Sequence, residues 1–208
     1  MRPLSEQVVV VTGASSGIGR ETALLLAARG ASVVVAARNE DALRDLEAGI
    51  LAAGGSAHAV VADVSSYPDV QRVGDEALAR FGRIDTWVNN AGVTVYARLV
   101  DTAPDELDRV IRVNLLGVMH GTKIALERMR GQEAGTVINV ASVLGQSAVP
   151  LQAAYVASKH GVKGFTDADA ALKAVTERIA GLSNVQKDAV IDQLGLTGLK
   201  PLIEIQFA

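Results

Sequence analysis

The chain has 208 residues, of which 49% are hydrophobic and only 3% aromatic, with a formal net charge of −3 and no cysteine. This length suits one full hydrophobic core and is too short for two ordinary α/β domains, so we expect a single domain over residues 1–208. The charge argues against nucleic acid and anionic membranes as partners, and the lack of cysteine excludes disulfides and thiolate catalysis. Because neither a signal peptide nor a bilayer-spanning apolar run is evident, we expect a cytoplasmic protein.

Five nearly continuous apolar runs predict strands that are covered on both faces, as in a parallel sheet between two layers of helices. These runs are Val8–Val11, Val33–Ala37, His58–Ala62, Ile84–Val88 and Thr136–Val140. Helical patterns alternate with them at about Gly19–Arg29, Glu40–Ala53, Pro68–Phe81 and Pro104–Arg130. Glycines that could end the first three helices follow at Gly30, Gly54-Gly55 and Gly82. The alternation predicts an α/β fold with a doubly wound, Rossmann-type parallel sheet and helices on both faces.

The first predicted strand runs directly into a glycine-rich turn that opens a helix, with the sequence Gly13-Ala14-Ser15-Ser16-Gly17-Ile18-Gly19. Glycine allows the tight turn and lets a ligand approach the backbone without meeting a Cβ atom. The start of the helix presents unpaired N–H groups and the positive end of its dipole to an anion. The segment therefore predicts a pyrophosphate site, although similar glycine turns also simply connect a strand to a helix.

Arg38 directly follows the second predicted strand, where the adenosine ribose of a bound dinucleotide would lie. Its neighbour Ala37 is not the acidic residue that would bind a free 2′-hydroxyl group, and an arginine at this place suits a 2′-phosphate. The alternative is that Arg38 is an ordinary solvated residue at the start of the next helix.

Further motifs follow the glycine-rich turn along the chain. They are Asp63-Val64, Asn89-Asn90-Ala91-Gly92, Asn114, Ser142 and Tyr155-Val156-Ala157-Ser158-Lys159. Together with the glycine-rich turn, they resemble the classical short-chain dehydrogenases/reductases over about residues 7–166. The resemblance implies binding of NAD(H) or NADP(H), and hydride transfer between the nicotinamide and an alcohol or carbonyl carbon. With Arg38, we expect NADP(H) to be preferred over NAD(H).

The resemblance also implies which residues bind the cofactor. Asp63 would meet the adenine amino group and Val64 would pack on the ring, although Asp63 could equally be a turn residue. The whole expected set is Gly13, Ser15, Ser16, Gly17, Ile18, Gly19, Arg38, Asp63, Val64, Asn90, Ala91, Gly92, Tyr155 and Lys159.

Tyr155 and Lys159 are four residues apart on a predicted helix, so both side chains project from one face. A phenol of pKa ~10 must be brought to about 7 to transfer protons efficiently, a difference of ~4 kcal/mol. An ammonium at ~4 Å in an effective dielectric of ~20 supplies about that much. The pair could otherwise be a solvated helix face.

The resemblance implies two more catalytic residues, Ser142 for the reacting oxygen and Asn114 for a water that relays protons from Lys159. Ser142 could instead be a simple turn residue, with Ser147 as a competing choice, and Asn114 an exposed or locally bonded amide. No metal is expected, because the three histidines, His58, His120 and His160, show no ligand spacing.

The chain departs from the family pattern after Thr166, and we interpret residues 167–208 as an atypical or truncated C-terminal part. Asp167–Gly181 and Val185–Leu194 have helical patterns, and Leu202–Phe207 could supply a sixth strand. The leading hypothesis is an NADP(H)-dependent oxidoreductase that acts on a small carbonyl or alcohol with Tyr155 as general acid/base. We expect it to be a homodimer or homotetramer. The alternatives are a nucleotide-binding protein that is inactive because its C-terminal region is altered, and a scaffold protein that uses only the fold.

Overall fold

A central sheet of five parallel strands organises the fold. The computed structural model describes residues 2–132, 134–168 and 205–207. The strands are β1 (Val8–Thr12), β2 (Ser32–Ala37), β3 (Ser56–Val61), β4 (Thr86–Asn89) and β5 (Thr136–Val140). They lie in the order β3-β2-β1-β4-β5 and pair in parallel, which confirms the predicted Rossmann-type sheet. The short strand β6 (Ile205–Phe207) lies within the possible sixth strand and pairs with β5 in the antiparallel direction.

Six α-helices connect or flank these strands in the described part of the chain. They are α1 (Gly17–Ala28), α2 (Glu40–Ala52), α3 (Tyr67–Phe81), α4 (Pro104–Ile111), α5 (Gly117–Met129) and α6 (Ala153–Ala168). The single helix expected over Pro104–Arg130 is wrong in one respect, because a turn of π-helix at Arg112–Leu116 separates α4 from α5. None of these described helices is long and apolar enough to cross a bilayer.

The helices expected over Asp167–Gly181 and Val185–Leu194 lie outside the described residues, apart from the first two positions, which end α6.

Successive valines of β1 pack into opposite layers of the core, because neighbouring side chains of a strand point to opposite faces. Val9 and Val11 pack with Leu26 of α1 and Leu43 of α2. Val8 and Val10 pack on the other face, in a cluster with residues of α3, β4 and α5 that includes Val73, Trp87 and Ile124. All five residues of β1 are buried, which explains why its sequence shows no polar alternation.

A chain of buried hydrogen bonds fixes α6 to the sheet. The Trp87 indole N–H donates to Asn89 Oδ1 at 2.9 Å, and Asn89 Nδ2 donates to Asn139 Oδ1 at 2.8 Å. Asn139 Nδ2 then donates to the Thr166 hydroxyl of α6 at 3.0 Å. All four side chains are at least nine-tenths buried, where polar groups with complete partners specify a single packing. The helix that carries Tyr155 and Lys159 is therefore held in a defined position against β4 and β5.

Candidate active site

The glycine-rich turn lies between β1 and α1 and has the shape expected of a phosphate site. Gly13 and Gly17 adopt left-handed backbone conformations with φ of +68° and +54°. A Cβ atom on Gly13 would lie 2.7 Å from Ala91 Cα, whereas one on Gly17 would meet no described atom within 4 Å. The side chain of Ser16, the N-cap residue of α1, makes no capping hydrogen bond. The first glycine thus packs the turn against the sheet, and the second presents open backbone beside free helical N–H groups, so these residues fit a pyrophosphate.

Thr12 and Asn90 hold this turn against the end of β4. The Asn90 amide donates to the carbonyl oxygens of Thr12 and Gly13 at 3.0 and 3.3 Å. The Thr12 hydroxyl accepts from the backbone N–H of Asn90 at 3.1 Å and donates to Val88 O at 3.3 Å. The structure thereby joins two predicted motifs, and it adds Thr12, for which sequence reasoning gave no role. Its signal was its place directly before Gly13, as the first residue of the motif that resembles the family.

Arg38 and Asp63 meet at the ends of β2 and β3. Arg38 Nη1 lies 3.9 Å from Asp63 Oδ2, and 54% of the Arg38 side chain is exposed. Partial burial by itself would raise the pKa of the Asp63 carboxyl. Hydrogen bonds from the Ser65 hydroxyl and N–H, together with the Arg38 and Arg109 guanidinium groups, outweigh this effect and hold the pKa below its usual value. Asp63 is therefore ionised at neutral pH, and its contact with Ser65 is the turn that local sequence suggested.

Val64 lies deeper than its expected role on an adenine ring would suggest. Only 9% of the residue is exposed, and a Cβ atom on Gly117 would lie 2.8 Å from Val64 Cγ2. The side chain thus packs mainly against α5, which leaves little of its surface for a ligand.

Asn114 lies inside the π-helical turn and is completely buried. Its Oδ1 accepts from the Val93 N–H, and its Nδ2 donates to the Val93 carbonyl, both at 2.8 Å. Nδ2 also lies 3.1 Å from the Ser158 hydroxyl of α6. The interpretation as an exposed or locally bonded amide is excluded, because Asn114 joins the segment after the Asn-Asn-Ala-Gly motif to the helix of Tyr155.

Lys159 is one helical turn from Tyr155 and is 4% exposed. Its Nζ donates to the Val140 carbonyl at 2.7 Å and lies 5.7 Å from the centre of the Tyr155 ring. Burial lowers the pKa of Lys159 from 10.5 to about 8. At neutral pH the ammonium is still mostly protonated, so a positive charge stands beside the phenol, as the spacing predicts. The interpretation of this pair as a solvated helix face does not hold for Lys159.

Ser142 follows β5 and begins a short 3-10 helix at Val143–Gly145. Its hydroxyl oxygen accepts from the Leu144 N–H at 3.2 Å, so its proton remains available to a further acceptor. The competing Ser147 is exposed and donates to the Val143 carbonyl at 3.1 Å.

Each of the five parallel strands has a predicted site residue within two residues of its carboxyl end. From β1 to β5 in chain order these residues are Gly13, Arg38, Asp63, Asn90 and Ser142. Parallel strands bring these ends to one edge of the sheet, where open α/β sheets bind ligands. Parts of the predicted cofactor-binding and catalytic sets therefore lie at one edge of the sheet.

Ser158 is a further buried residue of this site. Its hydroxyl donates to the Tyr155 carbonyl at 2.7 Å and accepts from Asn114 Nδ2. Sequence reasoning quoted Ser158 within the Tyr/Lys motif but gave it no role. Its signal is modest, since a serine inside a helix commonly bonds back to the preceding turn.

Among curated relatives, the uncharacterized oxidoreductase YxnA of Bacillus subtilis is 40% identical over 168 residues, which are 80% of this chain and 47% of that protein. A 3-oxoacyl-(acyl-carrier-protein) reductase of Synechocystis sp. is 44% identical over 167 residues, 80% of this chain and 68% of the relative. The chain thus spans about half the length of the first relative and about two thirds of the second.

Solved structures are similar to this chain in both fold and sequence. A short chain dehydrogenase/reductase from Burkholderia phymatum, in complex with NAD, matches with a TM-score of 0.78 at 38% identity, over 80% of this chain and 60% of that one. A variant of actinorhodin polyketide ketoreductase with NADPH matches with a TM-score of 0.75 at 38% identity, over 81% and 65%. The family model of the short chain dehydrogenases matches residues 7–180. The chain therefore belongs to the short chain dehydrogenase family of oxidoreductases.

Proposed function

We propose that the protein is an NADP(H)-dependent oxidoreductase that interconverts a carbonyl and a secondary alcohol, with Tyr155 as general acid/base. The observation that carries this proposal is the buried Lys159 ammonium beside the Tyr155 ring, at the sheet edge that also holds the glycine-rich turn. A buried cation next to a phenol stabilises the phenolate and so prepares the side chain for proton transfer.

The cofactor would be held along the carboxyl edge of the sheet. The backbone at Gly13, Ser15, Ser16, Gly17, Ile18 and Gly19 would hold the pyrophosphate, with Asn90, Ala91 and Gly92 beneath the nicotinamide half. Asp63 and the small exposed part of Val64 would contact the adenine end. When bound, the nicotinamide supplies or accepts the hydride. One solved relative binds NAD and another NADPH, so the preference for NADP(H) in this chain depends on Arg38.

Tyr155 would transfer the proton, and Lys159 would support that transfer. The Tyr155 hydroxyl gives its proton to the carbonyl oxygen during reduction and takes it back during oxidation. Lys159 uses one of its three N–H bonds for the Val140 carbonyl, which leaves two for the ribose hydroxyls. Its charge also stabilises the phenolate that remains after the proton has left.

Ser142 and Asn114 support this reaction from two sides. The Ser142 hydroxyl would donate to the reacting oxygen and stabilise the charge that develops on it. Asn114 would hold a water that relays protons from Lys159. Its direct bonds to Val93 and Ser158 fix the Asn114 side chain beside α6.

We expect two kinds of binding partner, a small-molecule substrate and further copies of this chain. The substrate would be a small carbonyl compound or alcohol. Further copies of this chain would assemble on α4 and α5 and on α6 as a homodimer or homotetramer.

The test is NADPH oxidation with a panel of ketones and aldehydes, using the unchanged protein and Tyr155→Phe. The substitution removes one oxygen and keeps the ring, so NADPH binding should survive while turnover falls by about a hundred- to ten-thousandfold. Tyr67→Phe is the matched control, because the Tyr67 hydroxyl bonds the exposed Lys123 of α5. Full reductase activity in Tyr155→Phe would show that the catalytic assignment is wrong.

A further inference from the structure

The strand β3 forms one edge of the sheet, because within the described part of the chain it pairs with β2 alone. An edge strand presents a row of unpaired N–H and C=O groups, which another strand can bind. β3 is six residues long and mainly apolar, and it contains no lysine or proline, the residues that commonly prevent such pairing. The strand itself therefore has little protection against a second strand.

Two charged side chains from the neighbouring helices bind the backbone of β3. The Ala59 N–H donates to Glu47 Oε1 of α2 at 3.0 Å. On the other helix, Arg72 Nη1 of α3 donates to the Val61 carbonyl at 2.9 Å. One N–H group and one C=O group of the strand are thus bound by a carboxylate and a guanidinium.

These backbone groups lie on the outer side of the strand. Successive residues of a strand direct their N–H and C=O groups to alternate sides. The N–H of Ala62, directly after β3, donates to the Ala37 carbonyl of β2 at 2.9 Å. Ala59 and Val61 are an odd number of residues from Ala62, so their groups point away from β2. The two helix side chains therefore occupy positions that a further strand would need.

Further contacts hold both charged side chains in place. Glu47 Oε1 lies 3.8 Å from His58 Nδ1, and His58 Nε2 lies 2.9 Å from Glu76 Oε2. Arg72 Nη2 donates to Asp69 Oδ1 at 3.0 Å, and Arg72 Nη1 lies 3.8 Å from Glu76 Oε1. The groups form one network from α2 across β3 to α3, and charges in a network are held more firmly than an isolated surface pair.

Solvent reaches this edge in the folded chain, since Val61 is 40% exposed and the Arg72 side chain 44%. A second copy of the chain thus has access to β3. Two copies of β3 related by a two-fold axis would pair in the antiparallel direction, which is the commonest closed symmetry of identical chains.

We propose that Glu47 and Arg72 protect the free edge of β3 from pairing with the same strand of a second copy of this chain. Their bonds fill the places of the ladder hydrogen bonds, and a pairing strand would have to displace both charged groups. This inference concerns how the chain avoids association through its sheet, and it does not depend on the proposed function.

The experiment measures the molar mass of Glu47→Ala/Arg72→Ala by light scattering after size-exclusion chromatography. The variant loses one negative and one positive charge, so the net charge of −3 is unchanged. At micromolar concentration it should have about twice the mass of the unchanged protein or more, because the edge is open to pairing. Glu40→Ala/Arg44→Ala is the matched control. It removes the same residue types from α2, where they pair with each other, and should leave the mass unchanged.

A third substitution locates the contact. Val61→Lys, added to the Glu47/Arg72 double variant, should restore the mass of the unchanged protein, because a lysine on each strand edge opposes pairing. Leu25→Lys adds the same charge on α1 at a residue that is also 40% exposed, and should not restore it. The proposal is overturned if the double variant keeps the mass of the unchanged protein. It is also overturned if Val61→Lys fails to reverse the association, or if Leu25→Lys reverses it equally well.

A second measurement uses the unchanged protein and so does not depend on the folding of a variant. Hydrogen exchange followed by NMR compares the backbone N–H groups of Ala59 and Val61, which point to the same side of β3. Because the Ala59 N–H donates to Glu47, its protection factor should be about tenfold higher than that of Val61. Equal protection of the two groups would overturn the role of Glu47.

Discussion

The Arg38 guanidinium is held only loosely within the protein. Its distance of 3.9 Å from the Asp63 carboxylate and its 54% exposure describe a long ion pair in water. Pairs of this kind contribute about 0–1 kcal/mol, so little stabilisation is lost when the guanidinium turns to another anion. Arg38 is thus free to bind a phosphate at the ribose end of the cofactor site.

Arg38→Asp should reverse or abolish the preference for NADPH over NADH. A charge-assisted hydrogen bond is worth about 1.5–3 kcal/mol, so the unchanged protein should prefer NADPH by about ten- to a hundredfold. Both dissociation constants can be measured by the change in cofactor fluorescence. Arg44→Asp makes the same charge change on α2, where Arg44 pairs with Glu40, and should retain the preference. Equal affinities of the unchanged protein for both cofactors would contradict the assignment.

Burial of Lys159 has a consequence for the pH dependence of stability. Its pKa is about 8 in the folded protein and near 10.5 when unfolded, so between these values the unfolded chain binds more protons. The free energy of unfolding therefore rises with pH over this window. Compared with Lys159→Met, the unchanged protein should gain on the order of 2 kcal/mol between pH 7 and 9.5. Urea denaturation of both proteins at the two pH values measures the difference, and a constant difference would show that the lysine titrates normally.

The packing of α5 against β4 leaves no room for a side chain at Gly121. A Cβ atom there would lie 2.0 Å from Asn89 Oδ1 and 2.8 Å from the Trp87 indole nitrogen. The helix thus approaches the buried side chains of Trp87 and Asn89 so closely that any larger residue at position 121 must displace one of them.

Gly121→Ala should lower the free energy of unfolding by about 2–3 kcal/mol, through overpacking and the broken bond between Trp87 and Asn89. Gly49→Ala in α2 is the matched control, since its added Cβ would meet no described atom within 4 Å. That change should stabilise the protein by about 0.5–1 kcal/mol, because alanine favours a helix over glycine. Thermal or urea denaturation compares the two variants, and equal effects would contradict the packing argument.

The elements differ in how well local sequence predicts them. The strands β1, β4 and β5 were predictable because all their residues are buried, so that each carries a nearly uninterrupted apolar run. The edge strand β3 is only partly buried, and its apolar run is correspondingly weaker. The π-helical turn at Arg112–Leu116 was not, since it contains neither proline nor glycine to mark it. Asn114 was the only residue within the predicted long helix for which the family resemblance implied a special role. Its partner Val93 lies 21 residues away, which no local pattern reveals.

The two ends of the sheet serve different purposes in the whole molecule. The carboxyl end carries the candidate site, whereas an ion pair between the buried Asp85 and the partly exposed Arg83 lies at the amino end. There Asp85 accepts from the Val8 N–H at 2.9 Å and pairs with Arg83 at 2.6 Å. The sequence predicted the candidate site through ordered motifs, and the family comparison confirmed the fold. It did not predict the bonds of Thr12 to Val88 and Asn90, because these partners become neighbours only in the folded chain.

The same distant contacts determine when the site is completed during synthesis. Asn90 follows its partner Thr12 by 78 residues, and Ser158 follows Asn114 by 44. At ~5–20 residues per second, the ribosome makes Asn90 on the order of 4 to 16 s after Thr12. The glycine-rich turn is thus fixed first, and the helix of Tyr155 joins it only after residue 158 has been made. A dinucleotide that needs both parts begins to stabilise the nascent chain only at this second stage.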